Sequence, residues 1–480
     1  MTREKFLEIV EYIGNITKHT QFEGHVYVVG GSVRDYVMGL TEIKDIDVCV
    51  DLPDGGIKFA EFVRDNQGLT KTVVTYPTYG TAMFKFYKYP EYDIECVQTR
   101  KEQYKDKSSR NPETEYGTIY EDAIRRDLTI NALYMRVDDK EILDPTGKGL
   151  DDMKWGVLRV TNDNPHVVFE DDPLRILRVV RFFCRYEMRG FKIDELTYQA
   201  MKDDVDRLSI ITKERIRDEF EKILVTFSAI NGIRMLHELG AMIYVIYEFE
   251  ECFGLEQNKY HFGDVAEHTL ALIDQYNYTF RDGNMVCLLA CLLHDIGKVK
   301  SKTVGEDGRV HFYDHEKVGA EMVEDILRRL KYDNDTIDEV KFIVRNHMMT
   351  KDWGDNCGKL KKEKKLNKFI YKCKTPERFE NLIRVIECDN LAHHEDHCIW
   401  GQYDFLKTQK DSKFLGYKLP INGEDVMKIL GIEPGPMVKM VLNQVMSRVF
   451  AHPNYTRDEC LNQVKGVYKQ ILQQMKQKSE

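Results

Sequence analysis

The 480-residue chain has no apolar run long enough to cross a bilayer. Its longest is the nine residues Met285–Leu293, against the ~20 that a spanning helix needs. No continuous apolar h-region stands in MTREKFLEIVEYI, which scatters charges through an amphipathic pattern. Membrane residence and secretion are therefore not expected, and the cytoplasm is the expected compartment. Cysteine is sparse, with eleven residues, odd in number and unpaired in spacing. That excludes a dense disulfide scaffold. Cys287 and Cys291 lie four apart without the second pair a zinc ribbon requires, so the thiols read as reduced core residues. An excess of positive charge is also missing: 70 basic against 80 acidic side chains leave −10. Nucleic-acid binding is not implied by that total, and the distribution of charge has to be read instead. No repeat of 20–50 residues and no low-complexity tail is present.

What is present describes a globular protein: 42% hydrophobic, 31% charged, mean hydropathy −0.47. At about 150 residues per domain the length suggests roughly three. Up to about residue 140, strand and helix signals alternate. VYVVGG is a β-branched run ending in a glycine turn, SVRDYVMGL reads as a helix, and DIDVCV, TAMFKFY and YDIECVQ read as strands. Beyond residue 150, helical periodicity takes over. Candidate joints are residues 144–149 (DPTGKG), 231–232, 305–308 and 431–436 (GIEPGP). Basic charge gathers in two places, the lysine-rich 359–374 and a helical stripe of Arg175, Arg178, Arg181 and Arg185.

The head carries the most informative chemistry. Asp45 and Asp47 are two apart on a predicted strand, so both carboxylates leave one face of the sheet. Such a pair can hold hard divalent cations. Gly30, Gly31 and Ser32 sit where a strand gives way to a helix, with free backbone N–H groups suited to a triphosphate. Asp93 and Glu95 share a face of their own strand, and Glu95 is the preferred third carboxylate. In DAIRRDLTINAL, Arg125, Arg126, Asp127 and Asn131 offer forks and amides suited to phosphate and base edges. In FEDDPLRILRVVRFFCRY, Asp172 and Arg175 are three apart and are expected side by side on a helix, an acceptor and a donor that together mimic a base edge.

The helical half holds a second set. His268, the adjacent His294 and Asp295, and Asp389 can converge on one ion from neighbouring helices, with His315 and His347 as further candidates. The contiguous HHEDHC at 393–398 reads as a solvated helix end, although His393 falls one turn after Asp389.

In order, GGSVRD, KDIDV, RRDLTINAL, LDPTGKGLDD, EDDPLRILRVVRF and KERIRDEFEKIL resemble the tRNA nucleotidyltransferases (CCA-adding enzymes) of the bacterial and eukaryotic class. The His and Asp series resembles the HD phosphohydrolase superfamily, and INGEDVMKILGIEPGPMVKMVLNQV looks like the family's tail, so the likeness runs from about residue 24 to 470. The implied fold is α+β: a small mixed-sheet, DNA polymerase beta-like nucleotidyltransferase head (1–150), then an all-helical neck (151–230), an HD-type body (231–400) and a tRNA-binding tail (401–480). The resemblance implies two Mg2+ ions at Asp45 and Asp47. It implies nucleotide contacts at Gly31 and Arg34, and template-free reading of CTP and ATP by Asp172 and Arg175, supported by Arg178 and Arg181. The tRNA 3′-hydroxyl would attack the α-phosphate and release pyrophosphate. The HD set implies a divalent transition metal or Mg2+ and a second, phosphohydrolase activity. Leu128 stands where many relatives have Phe.

Three other readings compete. A poly(A) polymerase shares the head but tends to carry a GRRF-like segment where this chain has TAMFKFYKYPEYDIEC. A division of labour is a further rival, in which separate enzymes add only CC or only A; the CC-adding type lacks part of a loop that residues 101–118 look long enough to supply. An HD phosphohydrolase with a regulatory head would not need Asp45, Asp47 and Arg34.

Overall fold

The computed structural model describes residues 1–77, 80–103, 113–257, 263–306, 308–353, 363–393, 398 and 401–479. They form two compact units, Met1–Tyr247 and Glu248–Glu480.

The first unit is built on strands β1 (Val26–Val29), β2 (Ile46–Val50), β3 (Val73–Tyr76), β4 (Thr81–Phe84), β5 (Ile94–Gln98), β8 (Tyr134–Arg136) and β9 (Ile142–Leu143), in the order β3-β4-β5-β2-β1-β8-β9. Only β2 and β5 pair in parallel; the other pairs are antiparallel, which makes the sheet mixed. Alternation along β2 explains the two faces. Ile46, Val48 and Val50 enter a large core with Val26, Val28, Phe84 and Ile94, covered by α1 (Arg3–Thr17) and α3 (Gly55–Asp65). Asp47 and Cys49 point the other way, where Cys49 meets a smaller cluster of Tyr27, Val29, Ala123, Ala132 and Tyr134. The strand expected over TAMFKFY stops at Phe84.

A separate ribbon of β6 (Arg100–Gln103) and β7 (Glu113–Tyr116) rises beside the sheet. The middle of the expected loop 101–118, residues 104–112, lies outside the described residues. Next come α2 (Gly31–Val37), between β1 and β2, and α4 (Ile119–Ile124), started by a Thr118–Glu121 capping box. Helices α5 (Gly149–Trp155) through α11 (Met242–Glu250) follow: α6 is Pro165–Asp171, α7 Arg175–Tyr186, α8 Glu195–Asp203, α9 Lys213–Leu224 and α10 Ala229–Glu238. The neck is not wholly helical, because β10 (Val157–Leu158) pairs with β11 (Lys192–Ile193). Residues 231–232 are no joint: they lie inside α10. Gly232 is there for contact, since a Cβ would stand 2.4 Å from Cys184 Sγ and 2.8 Å from Ile223 Cγ2.

The second unit is helical around α13 (Met285–Leu293), whose sequence MVCLLACLL is apolar on every side and accordingly buried. It packs against α12 (Val265–Thr279), α16 (Asn334–Asn346) and the helix Pro376–Leu391. The short α14 (Lys298–Ser301), α15 (His315–Arg329) and a ribbon of β12 (Lys302–Val304) with β13 (Val310–Phe312) complete the surroundings. The helices Gly423–Leu430, Pro436–Val449 and Arg457–Ser479 pack on one another at the end of the chain. Within the lysine-rich run, residues 359–362 lie outside the described residues, and Glu363–Cys373 is helix. The ten described cysteines are free, and nine are buried. No described helix is long and apolar enough to cross a membrane.

Candidate active sites

In the first unit an open cleft of about 710 Å³ is lined by eight arginines and one lysine against six carboxylates, the reverse of the chain's overall balance. Its floor is the β1–α2 turn. Gly30 holds φ 73 and ψ −133, which only glycine adopts freely, and a Cβ there would lie 3.6 Å from Arg126 Nη1 and 3.7 Å from Asp47 Oδ2. Asp45 precedes β2 and is exposed; Asp47 is the strand's second residue and half-buried. Across the parallel pair Asp47 stands in register with Glu95. Burial first, then the Glu95 and Asp45 charges, push the Asp47 carboxyl up to about 6, against the opposing pull of Arg126. Carboxylates crowded this way fit divalent cations, whose charge would relieve the repulsion.

Above the floor, buried polar groups form a chain. Arg34 donates to Asn131 Oδ1 (2.5 Å) and Asp35 Oδ1 (2.8 Å). Asn131 Nδ2 donates to Asp127 Oδ1 (2.8 Å), and Arg178 Nε donates to Asp127 Oδ2 (2.8 Å). Burial would raise Asp127, but Arg178 and Asn131 outweigh it and hold the carboxyl well below the usual range. Phe182 lies under three guanidinium groups, those of Arg34, Arg178 and Arg181, at 5.2, 5.9 and 4.6 Å. Arg181 Nε faces Glu219 at 3.0 Å, and burial lowers its proton affinity.

Asp172 and Arg175 both line the cleft, but not as neighbours on one helix. Asp172 is extended (ψ 98) at the end of α6, as a residue before proline prefers, and α7 starts only at Arg175. Asp172 pairs with Arg215 at 2.7 Å. Arg175 donates to the carbonyls of Val168 (3.1 Å) and Arg125 (2.5 Å).

Of the expected nucleotide residues, Gly30, Gly31, Arg34, Arg125, Arg126, Asp127, Asn131, Asp172, Arg175, Arg178 and Arg181 meet at this cleft. Ser32 does not line it; its hydroxyl turns back to the Val29 carbonyl at 3.3 Å. Glu95 is beside the cleft rather than on its wall. Sequence reasoning assigned no role to Arg215, Asp218, Glu219 and Lys222 of α9, which also line it. Their i, i+3, i+4, i+7 spacing was the available signal.

The second unit gathers its histidines in the core. His268, His294, Asp295, His315, His347 and Asp389 are all buried. His294, His315 and His347 place Nδ1 at 2.9, 2.9 and 2.6 Å from the carbonyls of Cys291, Phe312 and Val344. A carbonyl only accepts, so each Nδ1 carries a proton and Nε2 is the nitrogen turned inward. All three Nε2 atoms are buried without a hydrogen bond. They point at Asp295. Its Oδ2 lies 3.1 Å from His294 Nε2, and its Oδ1 lies 3.2 and 3.8 Å from His315 and His347. Asp389 Oδ1 lies 3.1 Å from His268 Nε2. Three ligand-like groups result, of which Asp295 joins two: His268–His294–Asp295 and Asp295–His315–His347. The third corrects the reading of His393 as a solvated helix end: it is His268–Asp389–His393, with His393 Nδ1 on the Asp389 carbonyl. Residues 394–397 lie outside the described residues. Burial and His294 press His347 down to about 3, so the ring stays neutral. Buried, inward-facing imidazole nitrogens around a carboxylate suit a divalent metal. Lys298, also missed, reaches Asp295 Oδ2 at 2.6 Å from three residues along the HDIGK motif.

Three family models match in order: the Poly A polymerase head domain over residues 26–159, the probable RNA and SrmB-binding site of polymerase A over 190–253, and the HD domain over 259–385. The A-adding tRNA nucleotidyltransferase of Deinococcus radiodurans is 30% identical over 338 residues, covering 68% of this chain and 74% of that protein. The multifunctional CCA protein of Haemophilus ducreyi is 30% identical over 392 residues, covering 78% and 88%. The chain belongs to the tRNA nucleotidyltransferase family. Solved members share its fold. The Bacillus stearothermophilus CCA-adding enzyme in complex with CTP has a TM-score of 0.69 at 20% identity, covering 97% of this chain and 98% of that one. The Thermotoga maritima CCA-adding enzyme complexed with tRNA has a TM-score of 0.58 at 21% identity, covering 96% and 95%. As a tRNA nucleotidyltransferase the chain carries its transferase chemistry in the first unit and the HD cluster wholly in the second.

Proposed function

We propose that this tRNA nucleotidyltransferase adds CCA to the 3′ end of tRNA from CTP and ATP, without a nucleic-acid template. The observation that carries the reading is the convergence of the Asp45–Asp47 pair, the Gly30–Gly31 turn and the Asp172/Arg175 pair on one cationic cleft. Asp45 and Asp47, with Glu95 beside them, would hold Mg2+, which supplies charge neutralisation for an in-line phosphoryl displacement. The chain's own part is positioning. Gly30 leaves room at the floor, Arg34, Arg125 and Arg126 hold phosphates, and Asp172 and Arg175 present an acceptor and donors to the base, with Arg178 and Arg181 behind them. In this reading residues 1–150 transfer, 151–230 read the base, and 401–480 grip tRNA. A cytoplasmic location would suit the handling of tRNA, and the ten described cysteines are free.

The test is single-turnover extension of tRNAs ending before CCA, after C and after CC, with CTP, ATP or both. Stops after CC with CTP alone, then one A with ATP, are expected. The Deinococcus relative, an A-adding enzyme, favours a second reading, in which only the tRNA ending in CC is extended. A long A ladder would mark a poly(A) polymerase. Asp47→Ala is expected to abolish incorporation while tRNA still binds.

The HD cluster supports a second activity, metal-dependent phosphate-ester hydrolysis, with a divalent transition metal or Mg2+ held by His268, His294, Asp295 and Asp389 and by His315 and His347. A His294→Ala, Asp295→Ala double variant should keep nucleotidyl transfer and lose phosphatase or cyclic phosphodiesterase activity. Absence of either activity in the wild type with Mg, Mn, Ni and Co would leave the cluster a structural metal site.

A further inference from the structure

Asp122 has no part in the transferase chemistry described so far, yet both oxygens of its carboxylate are heavily engaged. Its side chain is 0% exposed. One oxygen accepts from Arg125 Nη2 (2.6 Å), Arg125 Nε (2.9 Å) and the Arg100 backbone N–H (3.2 Å). The other accepts from the Tyr134 hydroxyl (2.5 Å) and from Arg126 Nη2 and Nε (2.9 and 3.3 Å). Burial alone would raise this carboxyl, but Arg126 and Arg125 outweigh it and hold it well below the usual range, so it is charged at every working pH. Both arginines line the cleft. Arg126 is the one whose Nη1 lies where a Gly30 Cβ would touch it, and whose charge opposes the rise of Asp47. Tyr134 completes the frame, because Arg126 also donates to its hydroxyl (3.3 Å) and stacks 5.3 Å from its ring.

A guanidinium has five donors in a rigid fork, and those given to Asp122 fix its plane. One buried anion shared by two adjacent arginines also offsets the repulsion between them, which would otherwise splay them apart. We propose that Asp122 is a positioning residue for the phosphates of the incoming nucleotide. It clamps Arg125 and Arg126 side by side over the Gly30–Gly31 turn, so that the cleft presents a preformed pair of cations to a triphosphate. The Arg100 contact extends the clamp to the first residue of the β6–β7 ribbon, so the ribbon's base and the two arginines share one anchor. The inference rests on the cleft being a nucleoside-triphosphate site, and the test separates the two.

Equilibrium binding of CTP and of CMP, with magnesium, is compared in the wild type, Asp122→Asn and Tyr134→Phe. Both ligands carry the base; only CTP carries the β- and γ-phosphates. Wild-type binding of neither ligand would sink the site reading and the inference with it. With wild-type binding in hand, Asp122→Asn is expected to lose about ten- to a hundredfold in CTP affinity, the range of charge-assisted hydrogen bonds, and less than about threefold in CMP affinity. Equal losses for both ligands, or none, would overturn the positioning role and leave Asp122 a fold-holding residue. If Asp122→Asn does not fold, Tyr134→Phe decides. It keeps the ring under Arg126 and removes only the hydroxyl, and it should still lower the CTP-to-CMP affinity ratio by about three- to tenfold. An unchanged ratio in that variant, beside a changed melting temperature, overturns the proposal.

Discussion

Replacing Asp47 by Asn should make the metal-free protein more stable at neutral pH while destroying its activity. The wild-type carboxyl is moved from an ordinary 3.8 to about 6, first by burial and then by Glu95 and Asp45. The folded state therefore binds this proton more tightly than the unfolded chain does. The stability it contributes is complete below about pH 4 and is lost as pH rises through about 6. Each tenfold change in proton affinity is worth about 1.4 kcal/mol. The full displacement therefore amounts to about 3 kcal/mol, and partial exposure of Asp47 reduces it to about 2. Asn keeps the shape and has no charge to desolvate, so it escapes the penalty. The assay is urea or thermal unfolding in EDTA at pH 5.0 and 7.5. Wild-type protein should lose stability between the two pH values, and Asp47→Asn should lose less, gaining about 2 kcal/mol over wild type at the higher pH. Saturating magnesium should reverse the order, because metal binds only the folded wild-type site. A variant that is equally or less stable than wild type at pH 7.5 in EDTA would refute the picture of crowded, repelling carboxylates.

Asp127→Asn should act with the opposite sign. Arg178 and Asn131 hold its carboxyl low against burial, so the wild-type advantage, about 2–3 kcal/mol for one member of a largely buried pair, is present at neutral pH. It narrows as pH falls below about 4, and an acid titration of the melting temperature that moves both proteins in parallel would contradict this. Gly232→Ala should cost about 1–3 kcal/mol through the clash with Cys184 and Ile223; an unchanged melting temperature would mean the helices part easily there.

Much of the transferase site was legible because its chemistry is local. A glycine turn between strand and helix, carboxylates two apart on a strand, and an arginine stripe at helical spacing each show within a few residues. Asp172 and Arg175 have helical spacing in the sequence, but the proline between them drives the residue before it into an extended conformation, so they do not share a helix. Glu219 and Arg215 escaped because a charged helix face looks solvated until a second helix with the complementary charge is laid against it. The same holds for Asp122, which in sequence is only an acidic residue near two arginines. In the second unit, order along the chain was enough to collect six buried side chains that meet in one core. The anchoring of three imidazoles by carbonyls depends on where helices end, and His393 could be placed only once Asp389 had its neighbours.

The alternation along β2 has a consequence for how this enzyme can change. Ile46, Val48 and Val50 are sunk in the main core, and Asp47 lies between them on the opposite face, level with Glu95. The spacing between the two carboxylates is thus dictated by oil-like packing on the far side of the sheet, not by anything in the cleft. A slip of a single residue would bury the aspartate and turn a valine into the cleft. The carboxylate spacing therefore has no adjustment of its own. Its central distance is as fixed as the hydrophobic core beneath it.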